Sequence, residues 1–281
     1  MKVFVLLLLA GCASQQREPV SPSLAARREC FKLLTAPSIQ SADDFLRLGR
    51  AQRALAEKAP ESPEGLRGLR CTLAAFEAAS SLTPTDPVPP FEAAQTYFDL
   101  REFRSASRAF HRVLEIEPLY PAANLRLAQI ARSGGDVPEA TAYLKEEKRV
   151  NPEAAEAWVE QGNIDMSTRN FLSAETQFTR AHQLAPRNRD ALFGRALARH
   201  LLGSFVAAEQ DLGAVLALDP NFADGYWQLG LLHEKMNEPK KAISDYRAFL
   251  VRTNPASPLA ANAGDKIRQL SRVNSASKST H

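Results

Sequence analysis

Apolar residues return every three or four positions along this 281-residue chain, with charged and amide residues between them, and no stretch alternates like a half-buried strand. The pattern predicts an all-α protein. Helices are expected at about 22–35, at 41–58 (SADDFLRLGRAQRALAEK) and at 65–82 (GLRGLRCTLAAFEAASSL), with an enlarged loop, APESPE, between the last two. Near the other end, SPLAANAGDKIRQLSRV at 257–273 reads as an amphipathic helix with a polar outer face. Only residues 3–10 break the alternation, being apolar throughout.

Between these segments runs a fixed period. Pro84, Pro118, Pro152, Pro186 and Pro220 stand 34 residues apart, and Pro255 follows after 35. Each closes a similar phrase (SLTP, IEP, VNP, LAP, LDP, TNP), and Ala106, Ala140, Ala174, Ala208 and Ala242 form a second column with the same step. Self-similarity at such a period is the mark of a repeat protein. The period and residues resemble the tetratricopeptide repeat, a 34-residue helix-turn-helix. In AWVEQGNIDMSTRNFLSAETQFTRAHQLAP the family pattern falls on Trp158, Gly162, Phe171, Ala174, Phe178, Ala181 and Pro186; in the last copy it falls on Leu229, Gly230, Ala242 and Tyr246. Two columns depart from it. Ala131, Asp165 and Arg199 stand at the Tyr-like eleventh position, and Ala94, Ala128 and Ala196 replace Gly at the eighth; both changes are expected to weaken individual repeats.

The resemblance implies a right-handed superhelical solenoid of about six helix-turn-helix repeats with capping helices, because one repeat cannot bury its apolar face alone. Small residues at positions eight and twenty let the two helices of a repeat approach, the large residue at twenty-four fills the space beside them, and proline at thirty-two ends the second helix. Residues 22–86 are then an amino-terminal helix and a degenerate repeat in which Phe76, Ala79 and Pro84 keep the register. Five repeats follow at 87–120, 121–154, 155–188, 189–222 and 223–257, then a cap at 258–273 and a disordered tail at 274–281.

The apolar run at the amino terminus changes the picture. Lys2 precedes it, and eight apolar residues make a helix near 12 Å long at about 1.5 Å per residue, too short for a hydrocarbon core of ~30 Å. This is the layout of a secretory signal peptide. Leu9-Ala10-Gly11-Cys12 resembles the lipobox of bacterial lipoproteins, which implies cleavage of residues 1–11, acylation of Cys12 (palmitate among the acyl chains) and a flexible tether over 12–21. The mature chain is then 270 residues long at net charge +2 instead of +3, which gives no electrostatic footprint for nucleic acid. Export also leaves Cys30 and Cys71 as an even pair in an oxidising compartment. They are either a disulfide or two buried thiols.

No catalytic arrangement is expected: the five histidines lack paired or HExxH spacing, and no GxSxG elbow, phosphate loop or CxxC motif occurs. Gly134-Gly135 reads as the turn between two helices. Neither a cofactor, a metal nor a small-molecule substrate is called for. The family binds protein partners on the concave face of its first helices. Carried across, position five gives Phe91, Leu125, Val159, Phe193 and Trp227; position nine gives Gln95, Gln129, Asn163, Leu197 and Leu231; position twelve gives Phe98, Arg132, Met166, His200 and Glu234. Either this ladder receives an apolar or amphipathic segment of a partner, or position five is core. A lipid-anchored solenoid of this build resembles the pilotins of type IV pilus secretins. Ala13 after the lipidated cysteine implies, by the sorting rule of Gram-negative lipoproteins, the periplasmic leaflet of the outer membrane. An outer-membrane secretin is the partner that this resemblance implies. Two rivals stay open: an adaptor for peptidoglycan enzymes or outer-membrane protein assembly, and an enzyme or small-ligand binder with an unrecognised site.

Overall fold

The computed structural model describes residues 30–59 and 62–276. The signal peptide, Cys12, the tether and most of the helix expected at 22–35 lie outside the described residues, of which 30–34 are helical. From there the regular elements are all helices: α1 (Ala42–Ala56), α2 (Pro63–Leu82), α3 (Val88–Asp99), α4 (Phe103–Ile116), α5 (Ala123–Ser133), α6 (Val137–Val150), α7 (Ala155–Ser167), α8 (Phe171–Leu184), α9 (Arg189–Leu201), α10 (Phe205–Leu218), α11 (Ala223–Lys235), α12 (Pro239–Arg252) and α13 (Pro258–Ala276). Among the described residues no helix is long and apolar enough to cross a membrane. The closing helix reaches Ala276, three residues into the stretch read as a disordered tail.

The proline ladder sets where the second helix of each pair stops. α2, α4, α6, α8 and α10 end two residues before Pro84, Pro118, Pro152, Pro186 and Pro220. A residue preceding proline is driven out of the helical region, and the C-cap residues Glu117, Asn151, Ala185 and Asp219 have turned to ψ of 96, 79, 85 and 89°. The turn inside each pair follows the same clock. Arg101, Gly135, Arg169, Gly203 and Asn237, again 34 residues apart, all take positive φ, between 58 and 83°. Gly135 therefore supplies the left-handed turn its position suggested.

The two interior columns are buried along the whole run. Ala106, Ala140, Ala174, Ala208 and Ala242 have no exposed surface, and Phe110, Leu144, Phe178, Leu212 and Tyr246 at position twenty-four are all buried. The chain divides at Gly134–Gly135 into two compact units, inside the stretch read as the 121–154 repeat.

In the first unit, α1 and α2 pack around Phe45, Phe76 and Ala79, with Leu34 and Ala93 in the same cluster. α1 opens on a capping box. Ser41 Oγ accepts the Asp44 amide at 3.2 Å, and the Asp44 carboxylate accepts the Ser41 amide at 3.0 Å. The backbone amide of Gln40, Arg47 and Ser41 together hold the Asp44 carboxyl far below its ordinary range. Cys30 and Cys71 are paired as a disulfide with Cα atoms 5.5 Å apart.

In the second unit, glycines explain the close helix approach, Gly162 and Gly230 at position eight and Gly194 at position six. The Phe178 ring lies against both Gly162 of its own repeat and Gly194 of the next, so that a Cβ on Gly162 would sit 2.7 Å from the ring. Tyr246 seats against Gly230 in the same manner. The departures at position eleven do not leave holes. Asp165 accepts from Gln161 Nε2 at 3.2 Å and from Ser173 Oγ at 2.5 Å. Arg199 pairs with Glu175 and Asp211, each at 2.8 Å, and Asp211 is also held in two bonds by Arg195, at 2.9 and 2.7 Å. Two guanidinium groups thus face two carboxylates in a largely buried network, so Asp165 and Arg199 tie helices together where a loss of packing was expected.

Candidate partner-binding face

Positions five, nine and twelve lie on one side of the first helix of each pair, since steps of four and three residues return to the same face. In the first unit Phe91 is half-buried, its ring 5.7 Å from Phe110 and 4.8 Å from Tyr120. Phe98 is also half-buried and meets Phe103 edge-on at 5.7 Å. The Arg126 guanidinium stacks 5.0 Å from the Phe98 ring centroid and donates to Gln129 Oε1 at 2.9 Å. This fixes one amide of the face, while Gln95 stays half-exposed on α3. Beside them Arg53 donates to Asp99 at 2.6 Å and Arg50 to Glu92 at 2.8 Å, joining α1 to α3. Burial raises the Asp99 carboxyl above its ordinary value in spite of Arg53.

In the second unit Phe193 is half-buried and packs edge-on against Phe222 at 5.0 Å. Leu197 and Leu231 are likewise half-buried, Asn163 is exposed, and Val159 leans on the cluster of Ala174, Phe178 and Ala198 with Met166 beside it. His200 packs against Phe205, and its imidazole is pushed down by burial and then by Lys235. Glu234 accepts from Lys266 Nζ at 2.8 Å and from the Tyr246 hydroxyl, whose pKa burial raises.

The apolar ladder is therefore not open along its length. Leu125 is 7 % exposed and Trp227 9 %. Trp227 packs at 5.3 Å on Tyr246 and 5.4 Å on Phe249, in a cluster that Ala263, Ile267 and Leu270 of α13 complete. The closing helix takes up the last rung at Trp227, and Leu125 is buried in the first unit. Phe91, Phe98, Val159, Phe193, Leu197 and Leu231 keep part of their apolar surface accessible.

A second aromatic column stands beside this face, of which the sequence pattern named Trp158 but not Tyr226. Trp158 Nε1 donates to the carbonyl of Pro152 at 3.2 Å, and 68 residues on, two periods, the Tyr226 hydroxyl donates to that of Pro220 at 3.3 Å. Both rings carry a cation, Lys148 at 4.7 Å and Arg252 at 4.3 Å. The signal was present: each aromatic stands six residues after a ladder proline. Among the described residues no group of histidine, cysteine and carboxylate side chains is placed to hold a metal ion.

Comparison with known proteins decides the family. A tetratricopeptide repeat model matches residues 91–155 and 159–223, and a second model of the same repeat matches 223–250, together more than half of the chain. The chain is a tetratricopeptide repeat protein. Such repeats are protein–protein interaction scaffolds, and binding of protein partners is the activity this family supports. Over 133 residues, 44 % of its length, this tetratricopeptide repeat protein is 26 % identical to the small glutamine-rich tetratricopeptide repeat-containing protein 2 of Saccharomyces cerevisiae. It spans well under half the length of the curated relatives it matches. Among solved structures it is similar to YrrB, described as a TPR protein with an unusual peptide-binding site, with TM-score 0.55, 19 % identity and coverage of 68 % of this chain and 98 % of that one. It is also similar to Pseudomonas aeruginosa pilF, with TM-score 0.63, 15 % identity and coverage of 82 % and 96 %. At these identities the likeness concerns the fold.

Proposed function

We propose that this chain is a lipid-anchored interaction scaffold, or assembly factor, of the bacterial cell envelope. Acylated at Cys12 and held on the periplasmic face of the outer membrane, it takes an apolar or amphipathic segment of a protein partner on the exposed part of its first-helix face. The observation that carries the binding half is the half-buried set Phe193 and Leu197 of α9 and Leu231 of α11, three apolar side chains with accessible surface on the first helices of two successive repeats. The anchoring half rests on LAGC at 9–12, on the resemblance to bacterial lipoproteins. A secretin of a type IV pilus is the partner put first, by the resemblance to pilotins, and an adaptor for peptidoglycan enzymes or for outer-membrane protein assembly stands second. Peptide binding by YrrB, a similar fold, agrees with a segment as the ligand class.

The test has two arms. Radiolabelled palmitate is expected to enter the full chain and to be lost in Cys12→Ala; an unlabelled wild type overturns the anchor. Capture of membrane partners by the anchored protein, followed by deletion of its gene, is expected to lower secretin multimers. Intact multimers overturn the pilotin reading while leaving a scaffold for another envelope assembly. Leu197→Asp is expected to lower partner capture at least about tenfold, the ~1.4 kcal/mol that one buried apolar anchor readily contributes, with the helical signal unchanged.

A further inference from the structure

Two ion clamps show which helix ends lie together in the second unit. Arg199 near the end of α9 donates to Glu175 near the start of α8 at 2.8 Å, and one period later His233 near the end of α11 meets Glu209 near the start of α10 at 3.0 Å. The last turn of a first helix therefore lies beside the first turn of the preceding second helix. Leu172 stands three residues before Glu175 and Leu202 three after Arg199, so both leucines reach the edge formed by the turns inside the repeats. Val206 and Met236 hold the same two places one period on. Leu201, four residues after Leu197 on α9, carries the apolar line of that helix out to this edge.

The edge is apolar and open. Leu172 is 70 % exposed, Val206 62 %, Leu201 55 % and Leu202 40 %, and exposed aliphatic side chains gathered in this way mark a contact surface. One period further the same columns turn basic: Lys235 stands in the column of Leu201, and Lys240 in that of Leu172 and Val206. Both are exposed, as is Arg169 in the turn ahead of α8, and among the described residues none of the three is held in an ion pair or a side-chain hydrogen bond. The carboxylates beside them are occupied. Glu175 and Asp211 hold Arg199, Glu209 and Asp245 face His233, and Glu238 takes Lys241 at 2.8 Å. One period before Leu172 the column is Pro138, between exposed Asp136 and Glu139, and the patch stops there.

We infer that this turn edge is a membrane-contact surface: Leu172, Leu201, Leu202 and Val206 enter the headgroup layer of a bilayer, and Arg169, Lys235 and Lys240 meet its anionic lipid phosphates. The composition separates a lipid surface from a protein partner. Protein hot spots are built from aromatic or arginine anchors seated in water-free pockets, whereas here aliphatic tips stand out from successive turns with long cationic side chains beside them. The edge belongs to the second unit alone and does not depend on acylation of Cys12. Because Leu197 and Leu201 are one turn apart, a bilayer at this edge borders the face assigned to the partner.

Vesicle binding by the full chain carrying Cys12→Ala tests this without an acyl anchor. Ser204→Cys, in the exposed turn between Leu202 and Val206 where the serine hydroxyl caps no helix, gives a thiol outside the Cys30–Cys71 bridge for a polarity-sensitive fluorophore. On vesicles of phosphatidylethanolamine and phosphatidylglycerol its emission is expected to shift to the blue and rise severalfold, while the same dye at Arg187→Cys, in the turn between α8 and α9, stays in water. That control separates the edge from simple tethering by the apolar residues 3–10. Leu172→Ser with Val206→Ser is expected to abolish the shift at unchanged helical signal, and Lys235→Glu with Lys240→Glu to raise the lipid concentration at half-shift at least about tenfold. A Ser204 dye that the vesicles leave in water overturns the inference, as does equal burial of both dyes. So does a dye that shifts on protein-containing membranes but not on vesicles of their extracted lipids, an outcome that assigns the edge to a protein.

Discussion

Arg169 and Gly203 occupy the same place in successive repeats, both with left-handed backbone, at φ of 62 and 79°. The left-handed region costs an L-residue ~1 kcal/mol or more, chiefly through its Cβ. Nothing lies within 4 Å of a Cβ built on Gly203, so backbone conformation alone decides the outcome there. Gly203→Ala is expected to lower unfolding free energy by about 1 kcal/mol in urea titration. The reciprocal change, Arg169→Gly, is expected to be neutral or slightly stabilising, because the relieved strain offsets the added freedom of the unfolded chain. Gly194 poses the opposite problem, one of space. An added methyl would meet the buried Phe178 ring, which a second glycine confines from the other side, and Gly194→Ala is expected to cost about 1–3 kcal/mol by the same titration.

Capping and charge show their effect at the scale of a helix. α1 begins where Ser41 and Asp44 exchange hydrogen bonds, and the Asp44 carboxyl is depressed first by the Gln40 amide and then by Arg47 and Ser41. A group whose folded value lies below its unfolded one, about 3.9 for aspartate, contributes stability above that pH and loses it as pH falls further. Asp44→Asn is therefore expected to flatten the acid limb of the stability profile below about pH 4, followed by circular dichroism, with little change in the profile's shape above about pH 5. Which helices exist was legible because the helical period, the proline ladder and the alanine column agree with one another. The ion clamps were not legible. Their carboxylates recur one period apart, Glu175 with Glu209 and Asp211 with Asp245, but they stand 24 residues before and 12 after a central residue that changes from Arg199 to His233, so the central column does not mark them. Whether position five is open or core was not legible at Trp227, because its exposure depends on a helix packed from outside the period, α13.

Taking the whole molecule, the pairing of Cys30 with Cys71 closes a loop of 41 residues inside the first unit. By loop entropy it contributes up to about 4 kcal/mol, and reduction is expected to speed amide exchange in α1 and α2 while leaving α9 to α12 unaffected. Equal effects in both units would show the bridge has no such local role. Phe178 has a different consequence. Because it seats on glycines of two successive repeats, the sequence can be shortened only in phase. Excising residues 189–222 sets His233 opposite Glu175, with Asp245 still 12 residues beyond, and brings Gly230 to the place of Ala196, while Gln228 takes the place of Gly194 against the Phe178 ring. That 34-residue deletion is expected to yield a folded, shorter chain by circular dichroism and size exclusion, whereas removing 33 or 35 residues turns a different helix face toward the ring. The natural unit of gain and loss in this protein is one whole period, counted from any starting point inside it.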